Sequence, residues 1–174
     1  MDLLAYEAKD MYFSEPLDGA AEALIEKASE AYGQPQAETY LREAERIAPQ
    51  HLTVLVALYR YYFYRHQHDL AFAIAEHVLE TIARRQNLAV DWRQVTPEDI
   101  IRVADHSPEL VRFYLHALKG AGYLSLRLED PKGGLERLDK VGELDPKDRI
   151  GAIALATVAR EAMQNETLEN TVVN

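Results

Sequence analysis

An all-α fold is predicted by three features of the sequence. Apolar residues recur at helical spacing through most of the chain, residue pairs that start helices punctuate it repeatedly, and no segment shows a strand alternation bounded by hairpin turns. The clearest stretch is 52–65, LTVLVALYRYYFYR, which is apolar nearly all the way round. Such a helix must be covered on several sides, so we expect it at the centre of the domain. It is too short, and too charged at Arg60, to span a membrane, which needs roughly 20 apolar residues.

The helices on either side of this stretch are predicted from their start and stop residues. Asp18 can cap a helix over 19–32 that Gly33 ends, and Pro35 starts another that runs to Pro49. Only two or three residues join these two helices, so they should be antiparallel neighbours. A helix over 70–85 forms a second hairpin with the central stretch.

The second half of the chain contains an insertion at about 86–107, where the helical rhythm breaks except for a short helix that starts at Thr96-Pro97. Ser107-Pro108 and Asp130-Pro131 open the next two helices, and a last helix follows Asp145-Pro146. The domain organisation expected from these signals is an N-terminal segment (1–17) with a short helix, a helical domain (18–164) and a flexible tail (165–174).

Composition narrows the class of protein. The absence of cysteine excludes disulfides, thiolate metal sites and a cysteine nucleophile. The first residues lack the pattern of a secretory signal, so we expect a cytoplasmic protein. The net charge is −10, with 11 acids and 4 bases in 1–48, 8 and 9 in 49–128, and 10 and 6 in 129–174. That balance argues against nucleic-acid binding, which needs a basic face.

The hairpins repeat with a period of 34 residues. Small and apolar residues match at this shift between the first two units, and a third unit keeps the internal spacing; the three sets are Ala37, Leu41, Ala44 and Pro49, then Ala71, Ala75, Val78 and Ala83, then Gly134, Leu138, Val141 and Pro146. This pattern resembles the tetratricopeptide repeat (TPR) family. The resemblance implies a right-handed stack of antiparallel helical hairpins, here with a helical insertion and a closing C-terminal helix.

The resemblance also implies a concave face, lined by the first helix of each unit, that holds a peptide or a partner's helix. Glu22, Glu26 and Glu30 would line one end of this face. The rest would form a groove with basic and aromatic side chains that suits a segment with an acidic or aromatic anchor: Arg60, Phe63, Tyr64, Lys119, Tyr123, Arg127 and Arg160.

Three features have competing interpretations. Part of the aromatic run 59–64 must be core, and the exposed part, Phe63 and Tyr64 first, could form a ligand or dimer surface. Trp92, the single tryptophan, is either an anchor that pins the insertion or a functional residue. The histidines of the sequence RHQHD favour a solvated turn over a metal site, because side chains two residues apart on a helix end diverge. Four glycines are predicted to be close-packing positions between paired helices: Gly120, Gly122, Gly133 and Gly134.

The function expected from the sequence is a non-catalytic protein–protein interaction module, an adaptor or assembly accessory, with no cofactor, metal, nucleic acid or membrane. A homo-oligomer that buries its aromatic helix face against a second copy is the main alternative. An enzyme or metal binder that uses the central histidines is the third, weaker one, since His68-Asp69, Asp105-His106 and His116 are its only candidate groups.

Overall fold

The computed structural model describes residues 15–172, with side chains through residue 165. The all-α prediction is confirmed, because the regular structure of these residues is helical and contains no strand. Between residues 15 and 172, eight α-helices follow one another: α1 Gly19–Glu30, α2 Pro35–Ile47, α3 Leu52–Tyr64, α4 His68–Arg85, α5 Pro97–Ala104, α6 Pro108–Arg127, α7 Pro131–Leu144 and α8 Ala152–Val172. The short helix predicted near the N-terminus falls before residue 15, outside the described residues. None of the described helices has the length and apolar character needed to cross a membrane.

Helix starts agree with the capping signals of the sequence. The carboxylate of Asp18 accepts a hydrogen bond of 2.8 Å from the backbone N–H two residues on. At α5, the Thr96 hydroxyl accepts from the N–H of Asp99, and the Asp99 carboxylate accepts from the N–H of Thr96, which completes a capping box. The carboxylate of Asp130 caps α7 at 2.9 Å. These bonds satisfy N–H groups that have no partner within the helix.

The helices pack mainly with their neighbours in sequence. α1 packs on α2, α3 on α4, and α6 on α7, and short connections make each pair an antiparallel hairpin. α2 also contacts α3, α4 contacts α6, and α7 contacts α8, while α5 lies against α6 and α7. The core therefore runs continuously through three hairpins, with the insertion set to one side.

α3 is buried on most of its surface, as its composition predicts. Leu55, Leu58, Tyr59 and Tyr62 are 0% exposed. Tyr59 is accommodated by Gly120 on α6, since a Cβ atom built at Gly120 would lie 3.0 Å from the Tyr59 hydroxyl oxygen. A glycine on one hairpin thus makes room for a large side chain on another.

α6 and α7 approach each other closely at two glycines. A Cβ atom at Gly122 would lie 3.2 Å from the carbonyl oxygen of Gly134, and one at Gly134 would lie 3.0 Å from the carbonyl oxygen of Gly122. The prediction of close-packing glycines is therefore confirmed at these two positions and at Gly120. It is wrong for Gly133, which faces the side chain of Asp130 in the first turn of α7, because that carboxylate folds back to cap the helix.

The last part of the chain differs from the prediction. The final helix begins at Ala152, after a turn in which the carboxylate of Asp145 accepts a hydrogen bond of 2.9 Å from the N–H of Ile150. α8 continues to Val172, although a flexible tail was expected from residue 165. No proline or glycine occurs between 152 and 172, so the sequence has no local signal to stop this helix.

Candidate functional site

A groove of about 520 Å³ lies between α1, α2 and α3, and we call it the α1–α3 groove. Its lining is mostly apolar and aromatic: Ile25, Ala28, Ser29, Tyr32, Leu41, Thr53, Val56, Ala57, Arg60, Tyr61 and Tyr64. Arg60 carries the one formal charge among these residues. Tyr32 and Tyr64 are 56% and 50% exposed, whereas Leu41, Val56 and Tyr61 are buried. The groove thus combines a packed floor with aromatic side chains that face solvent.

Helical spacing on two elements produces the groove. The α1 wall is a stripe at 25, 28, 29 and 32, and the α3 wall is a stripe at 53, 56, 57, 60, 61 and 64. Ala28 and Ala57 contribute little volume to these walls, while tyrosines occupy the C-terminal ends of both stripes. Small residues along the walls and large residues at one end leave space between the helices.

The aromatic end of the groove is organised by contacts among tyrosines. The ring of Tyr61 lies 6.4 Å from that of Tyr32 in an edge-to-face arrangement, and the guanidinium of Arg65 lies 5.5 Å from the Tyr61 ring centre. Burial raises the pKa of Tyr61, an effect that the Arg65 charge opposes. Behind it, the Tyr62 hydroxyl donates a hydrogen bond of 2.8 Å to Glu38. Burial and this hydrogen bond raise the pKa of Tyr62, so its hydroxyl is neutral at physiological pH.

An aromatic ledge adjoins the groove, and we define it as Phe63, His68, Tyr123 and Arg127. The Phe63 ring lies 6.0 Å from the Tyr123 ring and 6.5 Å from the His68 ring. Burial lowers the pKa of His68, and the charge of Arg127 lowers it further, as does His66. The Phe63 ring is also 6.0 Å from the ring of Tyr64, which links the ledge to the groove.

The structure groups five of the seven residues predicted to line a binding face. Arg60 and Tyr64 line the groove, while Phe63, Tyr123 and Arg127 belong to the ledge. The other two are engaged near α7 and α8. The ammonium group of Lys119 donates a hydrogen bond of 2.8 Å to the carbonyl of Ile150, and Arg160 forms an ion pair with Asp139 on α7.

The α1 wall differs from the one that the resemblance implied. Glu22, Glu26 and Glu30 are exposed on α1 and are absent from the groove lining, which comes instead from the stripe that contains Ile25 and Tyr32. The difference is one step of about 100° around the helix. The apolar spacing from Ile25 to Tyr32 was visible in the sequence and could have indicated this wall.

Trp92 lies in a 3-10 turn, Trp92–Gln94, and is 5% exposed. The guanidinium groups of Arg93 and Arg137 lie 4.2 Å and 5.1 Å from its ring centre. Arg137 also donates hydrogen bonds of 3.1 Å and 3.0 Å to Glu76 on α4 and lies 5.0 Å from the ring centre of Phe72. Trp92 therefore packs the insertion against α4 and α7.

The central histidines lie around the turn between α3 and α4. His66 has a positive φ of 57°, and its ring is 5.9 Å from the ring of His68 at a right angle. In the part of the chain that the structure describes, no group of three or more histidine, aspartate or glutamate side chains is arranged to hold a metal ion.

Comparison with known proteins found a relative of similar sequence. The chain is 42% identical over 161 residues to a protein described as the uncharacterized 19.8 kDa protein in nifW 5'region of Azotobacter chroococcum mcd 1. The alignment covers 92% of this chain and 90% of the relative. The chain therefore belongs to the same family as that protein. No protein-family model and no solved structure matches this chain.

Proposed function

We propose that this protein is a non-catalytic protein–protein interaction module, an adaptor or assembly accessory, built as a right-handed TPR-like stack of helical hairpins. Two observations support the architecture: three hairpins pack in sequence order, and small residues recur with a period of 34 residues. On this proposal, α1, α3 and α6 line the concave face of the stack.

The α1–α3 groove carries the proposal. Its volume is suited to one or two large apolar side chains, and its floor is already packed, so binding requires little rearrangement. Tyr32 and Tyr64 expose aromatic surface at its rim, and tyrosine is enriched among residues that dominate binding energy.

Charge defines the partner's chemistry. Arg60 and Tyr64 line the groove, and the Tyr64 ring lies 6.0 Å from the ring of Phe63 on the ledge. The positive charge of Arg127 acts on His68 of the ledge. A partner segment with an apolar or aromatic anchor and a nearby acidic side chain matches this surface. Arginine suits such a site because its planar group donates several hydrogen bonds to a carboxylate.

The name of the relative suggests where to look for the partner. That protein is described by its position in the nifW 5'region. We therefore propose that capture begins with extract from cells that express this region, with the nifW product as the first candidate.

The test compares wild-type protein with the variant Arg60→Glu/Arg127→Glu as affinity bait, with quantitative mass spectrometry of the captured proteins. We expect recovery of a specific partner to fall at least about tenfold with the variant, which corresponds to a loss of about 1.4 kcal/mol in binding free energy. Direct titration of the purified partner should show the same loss.

Arg46→Glu/Arg84→Glu is the matched control, since it makes the same charge change at exposed positions on α2 and α4 outside the groove and ledge. It should capture the partner as the wild type does. Circular dichroism confirms that both variants fold. Equal capture by the wild type and the folded groove variant would contradict the proposal, and capture of the protein's own chain alone would favour the homo-oligomer.

A further inference from the structure

Another cavity of about 520 Å³ lies where the insertion meets the end of α7, and we call it the insertion cavity. α5 and α6 form two of its walls, and the turn between α7 and α8 forms a third. Six large apolar side chains dominate the lining: Ile100, Ile101, Val111, Leu115, Leu144 and Ile150. The cavity shares no lining residue with the α1–α3 groove. Its volume lies within the usual range of ligand pockets, about 300 to 1,000 Å³.

Hydrogen bonds hold two walls of the insertion cavity in place. In the turn between α7 and α8, the carboxylate of Asp145 accepts from the N–H of Ile150 at 2.9 Å. The ammonium group of Lys119 donates to the carbonyl of Ile150 at 2.8 Å. On α5, the guanidinium of Arg102 donates to two backbone carbonyls that follow α4, at 3.3 Å and 3.2 Å. Because the protein's own groups fix these walls, a ligand that enters the cavity has little of the chain to order.

The charged groups of the lining favour an anion. Arg112, Asp145 and Arg149 supply two positive charges and one negative charge. The carboxylate of Asp145 is already used by the N–H of Ile150, and Arg112 takes part in another interaction. Arg149 is exposed and forms no ion pair with the described residues 15–165. Its planar guanidinium can donate two parallel hydrogen bonds to a carboxylate.

The apolar lining of the insertion cavity reaches the protein surface at Ile101. This residue is 63% exposed, although it lines the cavity together with the buried Ile100 and Leu115. A hydrocarbon chain in the cavity would cover it, and each Å² of apolar surface removed from water contributes about 25 cal/mol. The cavity therefore offers apolar contact along its walls and one cationic group for an anion.

We propose that the insertion cavity binds a small aliphatic carboxylic acid, with its hydrocarbon chain against Ile101 and Leu115 and its carboxylate at Arg149. The bound acid connects α5 of the insertion with the turn before α8, because it contacts both. It stabilises the folded protein by binding the folded state alone. This site is separate from the α1–α3 groove and does not depend on partner binding there.

Titration of the full-length protein with decanoate, followed by two-dimensional ¹H–¹⁵N NMR, tests this inference. We expect saturable shifts of the amide signals of Ile101, Leu115 and Ile150, and unchanged signals for Ala28 and Ala57 in the α1–α3 groove. Decanol has the same hydrocarbon chain without the charge. It should bind at least about tenfold more weakly, which corresponds to about 1.4 kcal/mol.

Arg149→Gln removes the positive charge and should weaken decanoate binding about tenfold while leaving decanol binding unchanged. Lys147→Gln is the matched control, because it removes the same charge from an exposed position in the same turn that does not line the cavity. It should bind decanoate as the wild type does. An unchanged affinity in Arg149→Gln, or an equal loss in both variants, would overturn the inference. Equal affinities for decanoate and decanol, or shifts confined to the α1–α3 groove, would also overturn it.

Discussion

The α6–α7 interface and the α1–α3 groove use the same secondary structure to opposite effect. Between α6 and α7, Gly122 and Gly134 face each other, and a Cβ atom at either position would lie within 3.2 Å of the other glycine's carbonyl oxygen. Between α1 and α3, tyrosines at the C-terminal ends of both helices accompany a groove of about 520 Å³. Residue volume at the contact decides whether two helices close or leave a binding space.

The insertion adds contacts on the side of the molecule where α6 packs on α7. Trp92 packs on Arg137, which bonds to Glu76 and so connects the insertion with α4 and α7. At the α1–α3 groove, by contrast, Tyr32 and Tyr64 remain about half exposed. Stability should therefore depend on the α6–α7 interface and the insertion, and recognition on the α1–α3 groove.

The largest difference is expected for Trp92→Ala, which removes a buried indole that two arginines flank. It should lower the free energy of unfolding by about 4 kcal/mol, the usual range for truncation of a buried aromatic residue. Tyr64→Ala, on the open side, should cost less than about 1 kcal/mol. Urea denaturation followed by far-UV circular dichroism measures both. Similar losses for the two variants would show that the regions do not differ in this way.

A smaller effect is expected for Gly122→Leu. The new side chain meets the Gly134 carbonyl oxygen and Leu138, so α6 and α7 must separate. We expect a loss of about 2 kcal/mol, after allowing for the better helix propensity of leucine. Gly19→Ala is the control, because a Cβ atom at Gly19 has no neighbour within 4 Å. Thermal unfolding compares them, and an unchanged midpoint for Gly122→Leu would contradict the tight contact.

The smallest effect concerns His68 on the ledge. Burial and the charge of Arg127 lower its pKa below the ordinary value of about 6.5. The unfolded chain then binds a proton more readily, so the contribution of His68 to stability is complete above pH of about 6.5 and is lost as pH falls through the folded pKa. Titration followed by NMR should show a higher His68 pKa in Arg127→Gln.

Arg84→Gln on the exposed side of α4 provides the comparison for this titration, since Arg84 pairs with Glu80 and has no part in the lowered pKa of His68. It should leave the His68 pKa unchanged. If Arg127→Gln also leaves the His68 pKa unchanged, the charge of Arg127 does not act on His68.

Local signals made most helix boundaries predictable. Asp18, the Thr96 and Asp99 capping box, and Asp130 act through hydrogen bonds to N–H groups two or three residues away, so short stretches of sequence contain the relevant information. The C-terminal end of α8 was missed for a related reason: a polar stretch was interpreted as a tail although it contained no residue that stops a helix.

The all-α class, the order of the hairpins and the central position of α3 follow from local capping and apolar period, which neighbouring residues encode. Other features depend on partners that packing brings together. Lys119 bonds to Ile150, 31 residues away, and Arg137 bonds to Glu76, 61 residues away. Which residues of α1 line the groove likewise depends on how α1 is rotated against α3. The whole core sets how one packed helix is rotated against another, because all the side chains around both helices must fit together at close packing.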